Sequence, residues 1–322
     1  MAERIVLLTG GSGFIGNRIS LLMTQAGWKP RLLSRKEPPG HSEMEWVQGD
    51  IRDPVACDRA IVGAEAVIHA AGEKNQKDDM HAVNVEGTSN LLKAALKNDV
   101  KRFVHISSVG VIGAHPLQKR VLDENVTCRP NNEYEKSKWL AEEKVKEASA
   151  MGLKSVIVRP TNVFGDRDPS KGLLSLAQSI RDGRFAFLGG RDSTCNFIFV
   201  EDVARAVLAM VEHDGNVEGV YHVSDPCSLG EFVDAMADEL CVGRPTINVP
   251  DVCSQSLRML LRFSYHLPFV SQLPIFSRLI ALNNQAVFIS ARLQSERGFN
   301  NPVGWRQGVK RLVQWYRGQG EL

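Results

Sequence analysis

The chain has 322 residues, of which 43% are hydrophobic and 24% charged, so it can bury a full core as one large domain or two unequal ones. The formal net charge of +2 provides no strong field for nucleic acid, and we expect no nucleic-acid partner. The six cysteines form no CxxC pair and the eight histidines no HExxH motif, which predicts free thiols in a reducing compartment and no metal site.

The first predicted element is an apolar strand that leads into a glycine-rich turn. Ile5–Thr9 is followed by Gly10, Gly13 and Gly16, and apolar residues then recur at helical spacing as far as Gly27. Gly10 permits a tight turn, Gly13 lets a pyrophosphate approach the backbone, and Gly16 allows close helix packing. This unit predicts a dinucleotide site. Because the strand begins so early, no signal peptide fits before it, and we expect a cytoplasmic protein.

Strand-like and helix-like segments alternate through the first half of the chain. Strands are predicted near residues 4–9, 30–34, 44–48, 65–70, 102–107 and 154–159, with helices between most of them. The alternation predicts an α/β fold with a doubly wound parallel sheet, and continuous apolar strands predict helices on both faces. We predict a dinucleotide-binding domain over residues 1–160, with a return to its core near 196–212. A smaller substrate-binding lobe would occupy mainly residues 161–322.

A segment rich in Leu, Phe and Ile covers residues 256–290. Arg258, Arg262, His266 and Arg278 interrupt it well before the roughly 20 apolar residues needed to cross a bilayer, so we predict no transmembrane segment. Packed helices of the substrate lobe explain this composition. The alternative is an interfacial amphipathic surface, which would suit a lipid-linked pathway or an apolar substrate.

A tyrosine and a lysine stand four residues apart in a strongly helix-forming segment. Tyr134 and Lys138 would share one face of a helix over about residues 132–150. A reductase needs a proton donor for the oxygen of a carbonyl that receives hydride, and the Lys138 ammonium would lower the pKa of the Tyr134 phenol. Taken alone, the spacing also fits a surface pair with no catalytic role.

Together with the glycine-rich turn, this pair resembles the extended short-chain dehydrogenase/reductase family, in its NAD(P)-dependent epimerase/dehydratase branch, whose members include sugar-nucleotide enzymes. The resemblance spans nearly the whole chain. Six further segments match in order, at residues 49–53, 68–72, 84–88, 105–109, 159–165 and 197–204. The resemblance implies a Rossmann fold and hydride transfer between a nicotinamide and a carbinol or ketone carbon.

The resemblance also implies which residues form the site. Ser108 would hydrogen-bond the reacting oxygen of the substrate, with Ser107 as the second choice. Tyr134 would act as acid or base on that oxygen, and Lys138 would also hold the nicotinamide ribose. Asp50, in the segment of residues 49–53, would contact the adenine. The segment of residues 84–88 would brace the active site. The cofactor residues so implied are Gly10, Gly13, Phe14, Ile15, Gly16, Asp50, Ile51, Ala70, Ala71, Asn84, Tyr134, Lys138 and Pro160.

The choice of cofactor depends on the end of the second strand. Arg35 and Lys36 stand where an NAD-selective site usually places an acidic residue on the adenine ribose. A guanidinium at Arg35 would complement a 2′-phosphate, so we predict NADP(H) in preference to NAD(H). The alternative is that both cations lie on a solvated loop and that either cofactor is accepted.

Asn162 is the main indication of the substrate, because sugar-nucleotide members of the family carry an asparagine here that contacts the diphosphate. Residues 195–197 lack the arginine that many uridine-sugar epimerases show at this point. Arg191 or Arg292 could replace it, and a structural role for either is the alternative.

These observations favour an enzyme that acts at C4 of a nucleotide-linked sugar. Reduction of a 4-keto sugar is preferred over 4-epimerisation, because an Arg35 site suits NADPH that exchanges in each cycle. The first alternative is a reductase or dehydrogenase of an apolar alcohol or ketone, of hydroxysteroid or dihydroflavonol type. The second is a non-catalytic cofactor-sensing or scaffold protein. The resemblance also implies a homodimer, formed through helices near residues 79–98 and 132–150.

Overall fold

A computed structural model describes residues 3–38, 44–115, 117–188, 190–213, 215, 217–248 and 283–322. The strands are β1 (Ile5–Thr9), β2 (Lys29–Ser34), β3 (Glu45–Gln48), β4 (Ala66–His69), β5 (Arg102–Ile106), β6 (Arg120–Leu122), β7 (Ser155–Pro160), β8 (Asn162–Phe164), β9 (Thr194–Phe199), β10 (Gly219–Val223), β11 (Asp225–Ser228) and β12 (Ala286–Phe288). The α-helices are α1 (Phe14–Gln25), α2 (Pro54–Ile61), α3 (Lys77–His81), α4 (Gly87–Lys97), α5 (Glu133–Ala150), α6 (Gly172–Arg181), α7 (Val200–Glu212), α8 (Leu229–Leu240), α9 (Ala291–Arg297) and α10 (Gly304–Gly318).

The central sheet of the described chain contains seven parallel strands in the order β10-β7-β5-β4-β1-β2-β3. The doubly wound parallel sheet is confirmed, and each of the six strands predicted from the sequence is present to within about a residue. Strand β10 was not predicted. It pairs with β7, with Tyr221 opposite Val158. Because the strand order reverses between β1 and β4, a crevice opens at their carboxyl ends.

Helices cover both faces of the sheet. On one face α1 packs against α7, and Ile19 and Val207 join the strand residues of a buried core. On the other face Leu91 of α4 and Val145 of α5 pack on Phe103 of β5. Burial of both faces accounts for the continuous apolar strands that the sequence showed.

The helix over residues 77–97 contains a change of winding. Its α-helical parts, α3 and α4, are joined by a π-helical turn at Ala82–Glu86. Such turns occur frequently at functional sites. Here the turn contains Asn84, one of the predicted site residues, and its side chain is buried.

The second half of the chain builds a further layer beside the sheet. Strands β11, β9 and β8 form a three-stranded sheet, and β12 pairs with β6. Phe164 is in edge contact with Phe199 and Phe232, at ring-centroid distances of 5.5 and 5.8 Å, in a core shared with α6, α8 and α10.

The segment of residues 256–290, predicted to form packed helices or an interfacial surface, lies mainly outside the described residues, which exclude 256–282. Within the described ranges, no helix is both long and apolar enough to span a bilayer.

Candidate active site

A groove of about 840 Å³ runs along the carboxyl ends of β1, β2, β3 and β4. This is the edge of a doubly wound sheet at which nucleotides bind. The predicted cofactor residues that line it are Gly10, Gly13, Arg35, Lys36, Asp50, Ile51, Ala70 and Ala71. Eight predicted residues from four separate loops therefore meet in one groove.

The glycine turn fits a dinucleotide pyrophosphate. Gly10 has a φ of +72°, and a Cβ there would lie 2.6 Å from the Ala71 nitrogen. A Cβ on Gly16 would lie 2.1 Å from the Gly10 oxygen, so the helix can approach the turn only with glycine at this position. Gly13 is the N-cap of helix α1 and has no side chain to cap it, which leaves backbone N–H groups of the first turn available to an anion. The side chains of Phe14 and Ile15 pack against the core. The part of these two residues that would contact a cofactor is therefore the backbone N–H group.

The adenosine end of the groove contains charges of both signs. The Arg52 side chain donates to the Asp50 carboxylate, with Nη2 to Oδ2 at 2.8 Å, and this hydrogen bond lowers the pKa of Asp50. Hydrogen bonds from the backbone N–H groups of Asn75 and Gln76 lower the pKa of Glu73. Arg35, exposed on the groove wall, lowers the pKa of both Asp50 and Glu73 further. A cofactor would therefore meet charges of both signs along this groove, the cations Arg35 and Lys36 and the carboxylates of Glu37, Asp50, Glu73 and Asp79.

The predicted catalytic residues come together at the carboxyl end of β5. Ser108 caps a short 3₁₀ turn, and its Oγ accepts a hydrogen bond from the Gly110 nitrogen at 3.1 Å. Ser108 and Tyr134 line the same cavity of about 420 Å³. Lys138 lies behind them, 4% exposed, and its Nζ donates to the Ile106 carbonyl at 2.6 Å.

The ionisation of Tyr134 differs from the sequence expectation. Burial raises its pKa, and the Glu135 carboxylate raises it further. The expected lowering by Lys138 was wrong for this arrangement, because the ammonium is directed to the Ile106 carbonyl and is itself desolvated. Burial lowers the pKa of Lys138 to about 8. Tyr134 therefore holds its proton at neutral pH.

The cavity beside Tyr134 is a candidate substrate pocket. Its described lining consists of Ser108, Val109, Gly110, Ala114, Tyr134, Glu135, Thr161, Asn162, Thr194, Cys195, Asn196, Phe197, Asn284, Ala286 and Phe288. Asn162 is exposed at the start of β8, two residues after the buried Pro160. By contrast, Asn196 is engaged with strand β12: its Nδ2 donates to the Ala286 oxygen at 2.8 Å, and its Oδ1 accepts from the Phe288 nitrogen at 2.9 Å.

The sequence profile of the NAD dependent epimerase/dehydratase family matches residues 6–224. The chain belongs to this family. It is an NAD-dependent enzyme of the short-chain dehydrogenase/reductase type, which confirms the resemblance and leaves no support for a scaffold protein.

Two curated relatives and one solved structure illustrate the range of this family. The chain is 31% identical over 256 residues to N-acetyl-alpha-D-glucosaminyl-diphospho-ditrans,octacis-undecaprenol 4-epimerase of Escherichia coli O157:H7, covering 76% of this chain and 75% of the relative. It is 27% identical over 342 residues to a 3 beta-hydroxysteroid dehydrogenase/Delta 5→4-isomerase of Mycobacterium tuberculosis strain H37Rv, covering 97% and 90%. The crystal structure of the Bordetella bronchiseptica enzyme WbmH in complex with NAD+ has a similar fold, with a TM-score of 0.74 at 24% identity over 99% of this chain and all of that chain.

The sequence analysis missed the role of a buried histidine, which joins the end of β1 to helix α4. His69 lies between the hydroxyls of Thr9 and Thr88, at 2.7 Å from Nδ1 and 2.8 Å from Nε2. Thr88 donates to the Asn84 carbonyl, so its oxygen must accept from His69 Nε2, and Nδ1 then accepts from Thr9. Burial lowers the pKa of His69 to about 3, which keeps the ring neutral. The signal was available: Thr9 precedes Gly10 directly, and His69 ends strand β4.

Asn84 braces the catalytic helix instead of lining the groove. Its Oδ1 accepts from the Glu73 nitrogen at 2.7 Å, and its Nδ2 donates to the Glu73 carbonyl at 2.8 Å and to Ser137 Oγ at 2.9 Å. Ser137 in turn donates to the Tyr134 carbonyl at 2.8 Å. Asn84 therefore joins the groove wall to the first turn of α5.

Neither arginine proposed to replace the missing phosphate contact lines the described pocket. Arg191 donates to Asp234 at 2.6 Å and lies over a phenylalanine ring. Arg292 donates to Glu296 at 2.7 Å and to the Val220 carbonyl at 3.0 Å, near the amino end of β10 and so at the opposite end of the sheet strands. These contacts support a structural role for both arginines, which was the alternative to a role in binding the phosphate.

Proposed function

We propose that this enzyme reduces the C4 ketone of a nucleotide-linked sugar, and that 4-keto reduction, in preference to 4-epimerisation, is its net reaction. The observation that carries the proposal is that Ser108, Tyr134 and Asn162 line one and the same cavity. The name of the Escherichia coli relative places its reaction at C4 of a sugar on a diphosphate. A Tyr134 that keeps its proton suits donation to a ketone oxygen.

The roles of the side chains follow from their positions. The nicotinamide cofactor, when bound, supplies the hydride. Ser108 would hydrogen-bond the ketone oxygen and orient it, and Tyr134 would donate the proton that this oxygen needs. Lys138 would hold the nicotinamide ribose, and Asn162 would contact the diphosphate. We also propose that this enzyme is a cytoplasmic homodimer. The helix over residues 77–97 packs against α5 within the chain, and these two helices would form the interface.

We propose NADP(H) as the preferred cofactor, held at its 2′-phosphate by Arg35 with Lys36 beside it. The Arg35→Asp variant should shift the ratio of kcat/KM from NADP(H) towards NAD(H) by roughly 10–100-fold, because a charge-assisted hydrogen bond to the phosphate contributes about 1.5–3 kcal/mol. Initial rates with both cofactors measure the ratio. The matched control is Arg317→Asp, an exposed arginine on α10 with the same change of charge. An unchanged ratio in Arg35→Asp would show that Arg35 does not read the phosphate.

Oxidation or reduction of an apolar alcohol or ketone is the second candidate, and the character of the pocket favours it. Among the described lining residues there is neither lysine nor arginine to neutralise a diphosphate, whereas Ala114, Phe197, Ala286 and Phe288 offer apolar surface. The Mycobacterium tuberculosis relative, which matches 97% of this chain, is named as a hydroxysteroid enzyme.

Ligand stabilisation separates the two candidates. The thermal midpoint of the NADPH-saturated protein would be measured with UDP, dTDP, GDP and their sugars. A ligand at a hundredfold excess over its Kd should stabilise the protein by about 2.7 kcal/mol. Stabilisation by one nucleotide supports the sugar-nucleotide proposal. If NADPH stabilises the protein and no nucleotide does, the proposal fails, and NADPH oxidation with a 3-ketosteroid tests the second candidate.

A further inference from the structure

Glu135 brings a carboxyl group to the wall of the pocket, one residue after Tyr134. A Cβ on Gly110 would lie 3.2 Å from Glu135 Cγ and 3.3 Å from Ser108 Oγ, so both side chains flank the same glycine. Glu135, Ser108 and Tyr134 all line the cavity. A titratable carboxyl group therefore stands beside the two side chains proposed to handle the reacting oxygen.

A structural role explains part of this placement. Asn132 caps helix α5 by accepting from the Glu135 nitrogen at 2.9 Å, and Glu135 Oε2 accepts from the Asn131 nitrogen at 2.7 Å. Glutamine serves as well as glutamate at this position of a helix cap, because the cap requires an acceptor oxygen and not a charge. Capping therefore does not explain why the residue is an acid.

Among the titratable groups near Tyr134, Glu135 is the acidic residue of the described pocket lining. Lys138, on the same helix, directs its ammonium to the Ile106 carbonyl. His105 and His69 lie on β5 and β4, and burial lowers the pKa of both. Cys195 of β9 is the remaining titratable residue of the described lining. Burial raises the pKa of Glu135, and N–H donors from Asn131 and Asn132 oppose this effect in part.

We propose that Glu135 is a positioning residue that acts through Tyr134, its carboxylate holding the phenolic proton in place and so setting the pH at which Tyr134 changes from proton donor to proton acceptor. A negative charge beside a phenol opposes the formation of a second negative charge, most strongly where water is partly excluded. Removal of the charge should therefore ease ionisation of Tyr134. The inference rests on the proposed acid–base role of Tyr134, but its test does not require a substrate.

Phenolate absorbance provides the test. The wild type, Glu135→Gln, Glu133→Gln and Tyr134→Phe would each be titrated with alkali, and the component missing in Tyr134→Phe assigned to Tyr134. In the wild type that component should titrate above the ordinary tyrosine value of 10.0. Glu135→Gln keeps the capping oxygen and should move the component to lower pH. Glu133→Gln removes a carboxylate from the same helical turn but from an exposed position, and should leave it in place.

Each outcome decides the inference. A Tyr134 component that is unmoved in Glu135→Gln, or moved equally in Glu133→Gln, overturns it. A wild-type midpoint below the ordinary value also overturns it, and this measurement holds even if Glu135→Gln does not fold. Activity separates this inference from the proposed function. If Tyr134→Phe remains active, the acid–base role fails, whereas an inactive Tyr134→Phe with an unmoved titration removes only the role of Glu135.

Discussion

Tyr134→Phe should lower turnover by about 10²–10⁴-fold, the range that general acid–base catalysis usually contributes. The substitution removes only the phenolic oxygen, and the ring still fills its place beside the pocket. Lys138 should be unaffected, because its hydrogen bond goes to the Ile106 carbonyl and not to the phenol. Cofactor affinity should therefore stay close to that of the wild type. Steady-state kinetics and quenching of protein fluorescence by NADPH measure the two quantities.

A second tyrosine is the matched control for this variant. Tyr221 on β10 is buried outside the pocket, and its hydroxyl donates to Glu296 at 2.7 Å. Tyr221→Phe should lower the free energy of unfolding by about 0.5–3 kcal/mol, as expected for loss of a hydrogen bond to a charged group, with little effect on turnover. Turnover of Tyr134→Phe within a few-fold of wild type would contradict the assignment of Tyr134 as the acid.

Lys138→Met should remove most of the activity and at the same time stabilise the fold at neutral pH. Burial lowers the pKa of Lys138 from 10.5 to about 8, so a buried charge is maintained at neutral pH at a cost of the order of 3 kcal/mol. Methionine keeps the apolar stem without the charge. The lost hydrogen bond from the ammonium to Ile106 offsets about 1.5–3 kcal/mol of this cost, which leaves a gain of at most about 1.5 kcal/mol in the free energy of unfolding.

The pH dependence gives this prediction a definite sign. Between pH of about 8 and 10.5 the unfolded chain holds a proton on Lys138 that the folded chain releases. The stability of the wild type should therefore rise with pH through this window relative to the variant, and the advantage of Lys138→Met should shrink. Urea unfolding at several pH values measures the difference. Lys146→Met, an exposed lysine of α5 paired with Glu143, is the control and should change stability by less than about 0.5 kcal/mol. A constant difference between Lys138→Met and wild type at all pH values would contradict the prediction.

The strands were predictable where neighbouring residues carry the signal. β1 is a short apolar run, and burial on both faces explains it without reference to distant segments. β10 was not predictable in this way, because Gly219–Val223 begins with a glycine and becomes a strand by pairing with β7. The role of Asn84 was only partly predictable. Its motif indicated a brace, but the partners of its amide, Glu73 and Ser137, follow from how the helix and the loop meet.

The amino-acid sequence was sufficient for the glycine turn, six of the seven sheet strands and the Tyr134–Lys138 spacing, because each is a pattern among nearby residues. Only the tertiary structure decided how those groups ionise and which charges reach the pocket. Spacing predicted that Lys138 would lower the pKa of Tyr134. The folded chain instead buries Lys138, binds its ammonium to Ile106, and places Glu135 in the same pocket as the half-buried Tyr134. The free energy of ionisation depends on the water that a group loses and on the charges around it, and both are set by segments far apart in the chain.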